Sequence, residues 1–445
     1  MKFKRYAAYK DPRVKLLSNI PTHWDVQKLK HIASVRFSNV DKKTEDGERA
    51  ALLCNYQDVY YNDYITPDIA FMEATASPAE ITSFMLRKGD VIVTKDSESW
   101  DDIAVSAYVP SDLDGVLCGY HLAHIHPYST LIDGEYLFRS FSAHGINDQF
   151  RVAATGITRY GLGKYWLDNA FFPVPPIDEQ HAIKTFLNRE TAKIDALIEK
   201  KEKLIGLLQE KQNALITHAV TKGLAPNVPM KDSGVEWLGE IPAHWEVKRV
   251  KRLFRVFNGS TPKSSEPNYW DGDITWVTPD DLGTLSSTEI LQTSRYITKS
   301  GYNSCGTTLV PKGSLVLSTR APIGHLAIAG LDLCTNQGCR CLVFNNTLDH
   351  KYYYYQLDAA RSELESWGQG STFKELGKSH LEYIHLIEPP YPEQNDITAY
   401  LDRETAKIDA LITKTRETIE KLKEYRIALI SAAVTGKIDV REEAA

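Results

Sequence analysis

One ten-residue phrase occurs twice in this chain. RETAKIDALI occupies residues 189–198 and returns at residues 403–412. Other phrases repeat around it in the same order: IPTHW (20–24) parallels IPAHW (241–245), PPIDEQ (175–180) parallels PPYPEQ (389–394), and ALITHAVT (214–221) parallels ALISAAVT (428–435). A repeat of this length constrains the fold more than any local motif, because each copy is one structural unit of the same kind. The chain is therefore a duplication of one structural plan.

The matched phrases frame two regions that differ. Within the frame, KGDVIVTK (88–95) parallels KGSLVLST (312–319), and GITRYGLGK (156–164) parallels GSTFKELGK (370–378). A Lys-Gly turn followed by a short aliphatic run predicts a strand in each copy. Most residues between these phrases do not match. We therefore expect a shared scaffold that carries two divergent inserts.

The end of each copy predicts a long helix. Apolar residues recur near heptad spacing from each RETAKIDALI phrase onward, which is typical of a helix that packs along one long partner. The predicted helix-pairing residues are Ile194, Leu197, Leu204, Leu208 and Leu215 in the first copy, and Ile408, Leu411, Leu422, Tyr425 and Leu429 in the second. Four isoleucines widen these stripes: Ile198, Ile205, Ile412 and Ile419. Asn188 and Asp402 are good N-cap residues at matched positions, so they predict a local break before each long helix.

These elements define the expected architecture. A helix over residues 189–217 would be about 43 Å long, which exceeds what the core of one domain needs, whereas two matched helices can pair with each other. We expect an α+β protein with two pseudo-symmetric globular α/β domains, separated by a pair of long antiparallel coiled-coil helices. The predicted segments are domain 1 (1–176), the first helix (177–222), domain 2 (223–390), and the second helix with the C-terminal tail (391–445). The alternative is that each helix packs back on its own domain.

Composition excludes few classes of protein. The net charge is −6, but a local patch matters more than the sum, and residues 2–30 hold eight lysines and arginines against two aspartates. This segment is either a solvated basic tail or a contact surface. The six cysteines lack metal-ligand spacing, and no apolar run is long enough to cross a membrane. We expect a cytoplasmic protein with reduced thiols, no metal site and no membrane contact.

One phrase suggests catalysis. EPPY at residues 388–391 is similar to the loop with which adenine methyltransferases hold a flipped base. However, its first residue is Glu, the other copy reads VPPI (174–177), and no glycine-rich cofactor loop accompanies it. A Pro-Pro lead into a helix explains the phrase more simply. We therefore predict no catalytic residues in this chain, and keep two alternative functions: a stand-alone adenine DNA methyltransferase, and a coiled-coil protein adaptor without a DNA role.

The twin IPxHW starts, Lys-Gly strand entries, LGK segments, PPxxEQ leads and RETAKIDALI helices resemble the specificity subunit of type I restriction-modification systems. The match covers essentially the whole chain, twice and in the same order. The resemblance implies that each globular domain is a target-recognition domain, which reads one half of a bipartite, asymmetric sequence in double-stranded DNA. The helices would act as a ruler for the unread spacer.

The resemblance also implies partners. Two methylation subunits would dock on the helices and would carry the S-adenosylmethionine chemistry. Restriction subunits, which use ATP and magnesium for translocation and cleavage, would join that core. The chain itself would be a non-catalytic subunit without a cofactor of its own.

Base edges are read by Arg, Lys, Asn, Gln, Ser or Thr side chains on positioned loops. The candidates follow the strand entries and the glycine turns. In the first domain they are Lys95, Ser97, Thr158, Arg159 and Tyr160; in the second they are Lys263, Thr319, Arg320, Thr372 and Lys374. Lys164 and Lys378 are matched in both copies and are predicted phosphate contacts. A solvated surface role is the alternative for each candidate.

The charged letters of the repeated phrase are predicted to face outward, Asp195 among them. Candidate docking residues for two copies of one partner subunit are Arg189, Glu190 and Lys193, with their equivalents Arg403, Glu404 and Lys407. Intrahelical salt bridges are the alternative for these charges. Two domains at opposite ends of helices about 40 Å long would match roughly one turn of duplex DNA, about 34 Å.

Overall fold

The computed structural model describes residues 3–285, 287–320, 322–345, 348–369 and 374–443. The chain forms two compact units. The first unit comprises Met1–Glu202 and Arg416–Ala445, and the second comprises Lys203–Thr415. Each long helix contributes residues to both units, so the units do not follow the linear order of the predicted segments.

The first unit is a mixed α/β structure. Its strands are β1 (Tyr9–Lys10), β2 (Ile20–Pro21), β3 (Asp25–Lys28), β4 (Ala33–Phe37), β5 (Arg49–Cys54), β6 (Met72–Ala76), β7 (Val91–Thr94), β8 (Asp96–Ser97), β9 (Ser106–Tyr108), β10 (Val116–Cys118), β11 (Leu122–Pro127), β12 (Thr155–Gly156), β13 (Tyr160–Gly161) and β14 (Phe171–Val174). Its helices are α1 (Leu29–Ile32), α2 (Tyr56–Tyr60), α3 (Pro78–Phe84), α4 (Gly134–Phe141), α5 (Asn147–Ala153), α6 (Lys164–Asn169) and the first part of α7 (Ile177–Lys222).

The second unit repeats this plan. Its strands are β15 (Met230–Asp232), β16 (Glu240–Pro242), β17 (Glu246–Arg249), β18 (Phe254–Asn258), β19 (Trp270–Val277), β20 (Glu289–Ile290), β21 (Tyr296–Ile297), β22 (Leu315–Ser318), β23 (Leu326–Ala329), β24 (Leu333–Thr335), β25 (Cys339–Phe344) and β26 (His385–Glu388). Its helices are α8 (Val250–Leu253), α9 (Pro279–Gly283), α10 (Lys299–Asn303), α11 (His350–Ala359), α12 (Arg361–Ser366), α13 (Lys378–Tyr383) and the first part of α14 (Tyr391–Val434), with a 3-10 turn at Pro267–Tyr269.

The central sheets of the two units share the order of four strands, and the second sheet adds a fifth strand, β20, at its edge. The order runs β4-β11-β7-β9 in the first unit and β18-β25-β22-β23-β20 in the second. The predicted strands after the Lys-Gly turns are β7 and β22, and every residue of both is buried. The turn glycines Gly89 and Gly313 have φ values of +95° and +86°, a region that residues with a Cβ rarely adopt. This explains why both copies keep glycine at the strand entry.

Both long helices are continuous, so the predicted breaks at Asn188 and Asp402 are wrong. Neither side chain caps a helix, because each is used to hold the helix against its own domain. Asn188 accepts a hydrogen bond from Arg139 of α4 at 3.1 Å and donates one to Glu135 at 2.8 Å. At the matched position, Asp402 accepts hydrogen bonds from Lys351 and Tyr355 of α11 at 2.7 and 2.8 Å.

The buried seam of each long helix follows alternating steps of four and three residues, the heptad pattern of paired helices. The two copies match at every step, and all seam residues are buried or half-buried. They are Leu187, Thr191, Ile194, Ile198, Lys201, Ile205, Leu208, Gln212, Leu215 and Ala219 in α7, and Leu401, Thr405, Ile408, Ile412, Thr415, Ile419, Leu422, Arg426, Leu429 and Ala433 in α14.

This seam corrects part of the predicted pairing. Ile194, Leu208, Leu215, Ile408, Leu422 and Leu429 lie in it, whereas Leu197, Leu204, Leu411 and Tyr425 are exposed. The reason is the phase of the helix. Its first turns dock on the domain core through Ile183, Phe186 and Leu187, and counting in heptads from there places the isoleucines, and not those leucines, on the inner face.

The ends of α7 and α14 pack into the hydrophobic cores of the two units. In the first unit, the start of α7 shares a core with the end of α14, and the buried Tyr136 hydroxyl donates to the carbonyl of Val434 at 3.1 Å. In the second unit, the end of α7 shares a core with the start of α14, and Tyr352 donates to the carbonyl of Val220 at 3.1 Å. The two helices therefore run antiparallel, and the predicted fold class is confirmed.

Candidate nucleic-acid interface

In each unit, the histidine and tryptophan of the IPxHW phrase bind the glutamate of the PPxxEQ phrase, and we call this contact the glutamate clamp. Trp24 is fully buried, and its indole donates to the Glu179 carboxylate at 2.8 Å, while His23 lies 2.7 Å from the other carboxylate oxygen. The second unit repeats these contacts between Glu393 and the pair His244 and Trp245, at 2.8 and 2.9 Å. These histidines and tryptophans therefore have a structural role, since they fasten the first strands to the start of each long helix.

The glutamine of each PPxxEQ phrase completes the frame. The Gln180 amide donates to the carbonyls of Leu131 and Pro175, at 3.0 and 2.8 Å, and accepts from the amide of Asp133 at 2.8 Å. In the second unit, Gln394 donates to Pro389 at 2.9 Å and accepts from Asp349 at 3.1 Å. Asp133 and Asp349 cap α4 and α11. The sequence showed that Glu and Gln repeat, but only the fold shows which groups they bind.

Two predicted contact segments of the first unit meet in a small sheet. Strand β13 pairs with β8, with Tyr160 opposite Ser97, and it also pairs with β12. The connection between β12 and β13 is the loop that carries Thr158 and Arg159. Both residues line a surface groove together with Ser97, Glu98 and Ser99. The strand entry and the glycine turn, distant in sequence, therefore form one surface.

The opposite wall of this groove is aromatic, which sequence reasoning missed. It consists of Tyr56, Tyr60 and Tyr61. The rings of Tyr56 and Tyr60 are stacked, with centroids 5.5 Å apart and planes at 17°. The Tyr60 hydroxyl donates to Asp102 at 2.5 Å, and this hydrogen bond is the main cause that raises the pKa of Tyr60 to about 12. Tyr60 and Tyr61 lie in a region of the first copy that has no sequence match in the second copy. The repeat pattern therefore did not identify them.

The second unit uses the same construction with different side chains. Arg320 forms a β-bridge with Glu375, and Gln369 forms another. The Glu375 carboxylate holds two guanidinium groups, those of Arg320 and Arg340, each at 3.1 Å. Lys374 is exposed beside them. Thr372 lies outside the described residues.

Three predicted base-reading side chains are not available as predicted. Thr319 is fully buried and its hydroxyl donates to the carbonyl of Gly338 at 3.2 Å, while Ser97 is buried in β8. Lys95 is half-buried; its ammonium donates to the carbonyl of Ser38 at 3.3 Å and lies 4.7 Å from the ring centroid of Tyr120. Burial lowers the pKa of Lys95. All three follow the strand entry directly, where the backbone is still held in the sheet.

The remaining predicted contacts differ in their exposure and in their ion pairing. Lys164 and Lys378 are exposed at the first turns of α6 and α13, but each is ion-paired within its helix, to Asp168 at 2.6 Å and to Glu382 at 3.6 Å. Lys263 is exposed, and its carbonyl accepts from the Trp270 indole at 3.3 Å.

Arg159 lies 3.4 Å from a ring nitrogen of His121 and remains exposed. Thr158, Lys263, Arg320 and Lys374 are exposed as well, so these predicted side chains reach the surface together with Lys164 and Lys378.

A buried charge cluster lies directly before β7 in the first unit. Asp90 is fully buried, and its carboxylate oxygens lie 2.7 and 2.6 Å from ring nitrogens of His124 and His126. Burial opposes ionisation of Asp90, but these hydrogen bonds and that of the Arg87 amide outweigh it and lower its pKa. The second copy has Ser314 at this position, so the cluster belongs to the first unit alone.

The predicted docking residues form the same cluster on both helices. Glu190 accepts from Lys193 and Arg189 at 2.8 and 2.9 Å, and Glu404 accepts from Lys407 and Arg403 at the same distances. The hydrogen bonds from the two lysines are the main causes that lower the pKa of Glu190 and of Glu404.

Asp195 was predicted to face outward with these residues; it is exposed, and it also accepts from Arg426 of the opposite helix at 2.9 Å.

The EPPY phrase has a structural place in the second unit. Glu388 ends β26, where it is ion-paired with Lys248, and Tyr391 begins α14, so EPPY forms the lead into a helix. Within the described residues, no group of three His, Cys, Asp or Glu side chains is placed to hold a metal ion. The helices among these residues are also too short or too polar to cross a bilayer.

The fold defines a duplicated protein with two α/β domains and a pair of long helices. Comparison with known proteins agrees with this class. The family described as "Type I restriction modification DNA specificity domain" matches residues 242–421. The chain is similar to the specificity subunits of type I restriction-modification systems.

Individual relatives cover the chain to different extents. The type I restriction enzyme MjaIX specificity subunit of Methanocaldococcus jannaschii is 36% identical over 190 residues, which span 42% of this chain and 43% of that protein, less than half its length. The type I restriction enzyme MjaVIII specificity subunit of the same organism is 22% identical over 95% of this chain and 94% of its own length.

A solved structure from work on the assembly and conformational transition of the type I R-M system shares the fold. It has a TM-score of 0.68 and 22% identity, and the match covers 95% of this chain and all of that one.

Proposed function

We propose that this chain is a non-catalytic DNA-recognition subunit that reads a bipartite, asymmetric target in duplex DNA, with one half-site for each unit. One observation carries this proposal. Both units pair the residues that follow β7 and β22 with the segment before the LGK phrase, but the residues differ: Asp96, Tyr160 and Gly161 in the first unit correspond to Arg320, Lys374 and Glu375 in the second. A common frame with different polar side chains is suited to reading two different sequences.

The aromatic wall supports a role in base recognition in the first unit. The stacked Tyr56 and Tyr60 are positioned beside Thr158 and Arg159 in one open groove. Arginine and threonine side chains can hydrogen-bond to base edges, and rings supply apolar contact to bases. The second unit offers the exposed Arg320 instead, held by Glu375, which also binds the buried Arg340. Arginine fits the two acceptors of guanine, so we expect a guanine in the half-site of the second unit.

Mapping methylated sites in the DNA of the host, followed by footprinting of the purified complex, tests this function. We expect one split sequence with two protected half-sites and an unread spacer. Replacing Arg320 should change the preference in one half-site only, and replacing Arg159 should change the other. A single contiguous footprint, or binding without sequence preference, would contradict the proposal. Binding of S-adenosylmethionine by the isolated chain would favour a methyltransferase instead.

We also propose that the paired helices dock two methylation subunits, and that restriction subunits join them. The S-adenosylmethionine, ATP and magnesium chemistry then resides in those partners. The support is a matched outward face: the Arg189, Glu190 and Lys193 cluster recurs as Arg403, Glu404 and Lys407 with the same internal geometry. The same two helices also carry exposed apolar residues that a partner could cover; they are Leu197, Leu204 and Leu207 in α7, and Leu411, Tyr425 and Ile427 in α14.

The stoichiometry of the complex tests docking. Replacing Arg189 and Lys193 by Ala should reduce the methylation subunits per chain from two to one, as measured by native mass spectrometry. The matched pair Arg403→Ala and Lys407→Ala should do the same, and all four changes should leave none. Two bound subunits in every variant would mean that these clusters serve only the helices themselves.

A further inference from the structure

A basic corner occurs at the same place in both units. In the first unit, Lys28 ends β3 and Lys30 lies in the α1 turn that follows; in the second, Arg249 ends β17 and Lys251 lies in α8. The strand register is also the same, because Lys28 pairs with Phe171 of β14 and Arg249 pairs with His385 of β26. The duplication has therefore kept two cations at one structural position.

In the first unit, the two cations converge on a neutral group. The ammonium groups of Lys28 and Lys30 both donate to Oδ1 of Asn169, at 3.2 and 3.1 Å. Lys28 also lies 5.4 Å from the ring centroid of Phe171. Two like charges share one amide oxygen here, on a surface where Lys30 is exposed.

The second unit reaches the same arrangement with other residues. Arg249 and Lys251 both lie over the ring of Tyr383, at 4.8 and 4.3 Å from its centroid. The Arg249 guanidinium also approaches Nε2 of His385 at 3.4 Å. Burial, and then the charge of Arg249, lower the pKa of His385, so this ring is a neutral partner at physiological pH. Both cations are exposed here, and the ion pairs of the described residues give neither of them a carboxylate.

Neighbouring acids are already engaged. Asp168 holds Lys164, Glu382 is paired with Lys378, and Glu388 is paired with Lys248. Across the described ranges, none of the four corner cations has an Asp or Glu oxygen within 4.0 Å. Two unit charges close together repel, and the strand register does not let them separate fully. An anion bound between them would remove this repulsion in both units.

We propose that each basic corner is an anion site that holds a phosphodiester group of the DNA backbone: Lys28 and Lys30 in the first unit, and Arg249 and Lys251 in the second. The choice of DNA as the source of the anion rests on the proposed function. Arginine and lysine hold phosphate through charge-assisted hydrogen bonds, and phosphate contacts position a protein on DNA without reading sequence. This explains why both copies carry cations at the basic corner, whereas the proposed base-reading residues differ between the copies. It also gives the basic N-terminal segment a specific role at its end.

The salt dependence of binding tests the site. Two double variants of the full chain, Lys28→Gln with Lys30→Gln and Arg249→Gln with Lys251→Gln, are compared with wild type on target and non-target duplexes over a range of KCl. The slope of log K against log [KCl] should fall by about 0.9 for each phosphate contact removed. Affinity should fall by the same factor on both duplexes, so that the preference for target is unchanged. Lys10→Gln with Lys15→Gln, an equal charge change at exposed positions of the same segment, should leave the slope unaltered.

The outcomes separate the site from the function. An unchanged slope in both double variants, or a slope change as large in the Lys10 and Lys15 control, would overturn the site. Loss of a co-purified subunit with an unaltered slope would assign the corner to a protein partner and would overturn it as well. If wild type shows no target preference but its slope still falls in the variants, the proposed function fails while the anion site stands. The single changes Lys30→Gln and Lys251→Gln, at exposed positions, keep the test valid if a double variant does not fold.

Discussion

Arg426 of α14 donates a hydrogen bond to Asp195 of α7 at 2.9 Å, and this bond joins the two long helices in the first unit. The repeat equivalents of these residues are Gln212 and Asp409, and Gln212 donates to Asp409 at 3.0 Å in the second unit. The duplication therefore kept the bond and changed its donor. In the first unit the arginine gains a second partner, because it also contacts the carboxylate of Asp63 in the adjoining domain.

Replacing Arg426 by Gln should make the first unit resemble the second. The bond to Asp195 can be kept, but the ion pair with Asp63 is lost. Since both carboxylates are partly exposed, we expect a loss of about 0.5 to 1 kcal/mol in the free energy of unfolding, measured with urea. Lys423→Gln is the control, because it removes an exposed pair with Glu420 on the same helix. An equal loss in both variants would show that Arg426 has no special role.

The two glutamate clamps should differ in strength. The Glu179 side chain is 10% exposed and accepts from Trp24, His23, Tyr6 and Arg441, whereas that of Glu393 is 40% exposed and accepts from His244 and Trp245. Glu179→Gln should therefore cost roughly 3 kcal/mol, and Glu393→Gln about 1 to 2 kcal/mol. Thermal unfolding of the two variants measures the order. A larger loss from Glu393→Gln would contradict the assignment of contacts.

The Asp90 cluster should make the first unit sensitive to acid. The folded pKa of Asp90 is lowered, so its stabilising effect is present above the ordinary aspartate value of about 3.9 and is lost as pH falls through the lowered value. We expect the melting temperature of the wild type to fall more steeply below about pH 4 than that of Asp90→Asn, which should be less stable at neutral pH. Parallel curves for the two proteins would count against this origin of acid sensitivity.

Two predicted contacts should now behave differently. Thr319→Val removes a buried hydroxyl that donates to the carbonyl of Gly338, so it should cost about 1 kcal/mol in stability and leave DNA preference unchanged. Arg159→Ala, at an exposed loop position, should leave stability within about 0.5 kcal/mol and change the preferred bases in one half-site. Binding to a library of duplex targets reports both effects. A new base preference in Thr319→Val would contradict the structural role of this buried residue.

Lengthening the helices should lengthen the spacer. Four residues inserted after Lys203 add about 6 Å of helix, against 3.4 Å for each base pair, so the spacer should grow by one to two base pairs. The four-three seam shows why the matched insertion in α14 should help, since a change in one helix alone shifts its heptad phase against its partner. The spacer in the methylated sequence is the measurement. A spacer that does not respond would show that the helices do not set it.

Much of the architecture could be predicted because the chain carries the same sequence phrases twice, in the same order. The repeated RETAKIDALI phrase and the matched IPxHW and PPxxEQ phrases determined by themselves that two equivalent units, two long helices and one frame must exist, since a duplicated sequence with one hydrophobic period has few other solutions. The strands after the Lys-Gly turns followed from local pattern alone. The same comparison of copies predicts that the DNA-reading residues lie where the copies differ.

The tertiary structure decided the rest. A heptad pattern with both leucines and isoleucines on neighbouring stripes leaves the phase of the helix open, and only the docking of Phe186 and Leu187 in the domain core turned Ile198 inward and Leu197 outward. Likewise, no local rule places Tyr60 beside Arg159 or buries Thr319, because these outcomes depend on strands that pair across long stretches of chain. Local sequence sets periods and turns, whereas long-range packing sets which side of each element meets the solvent.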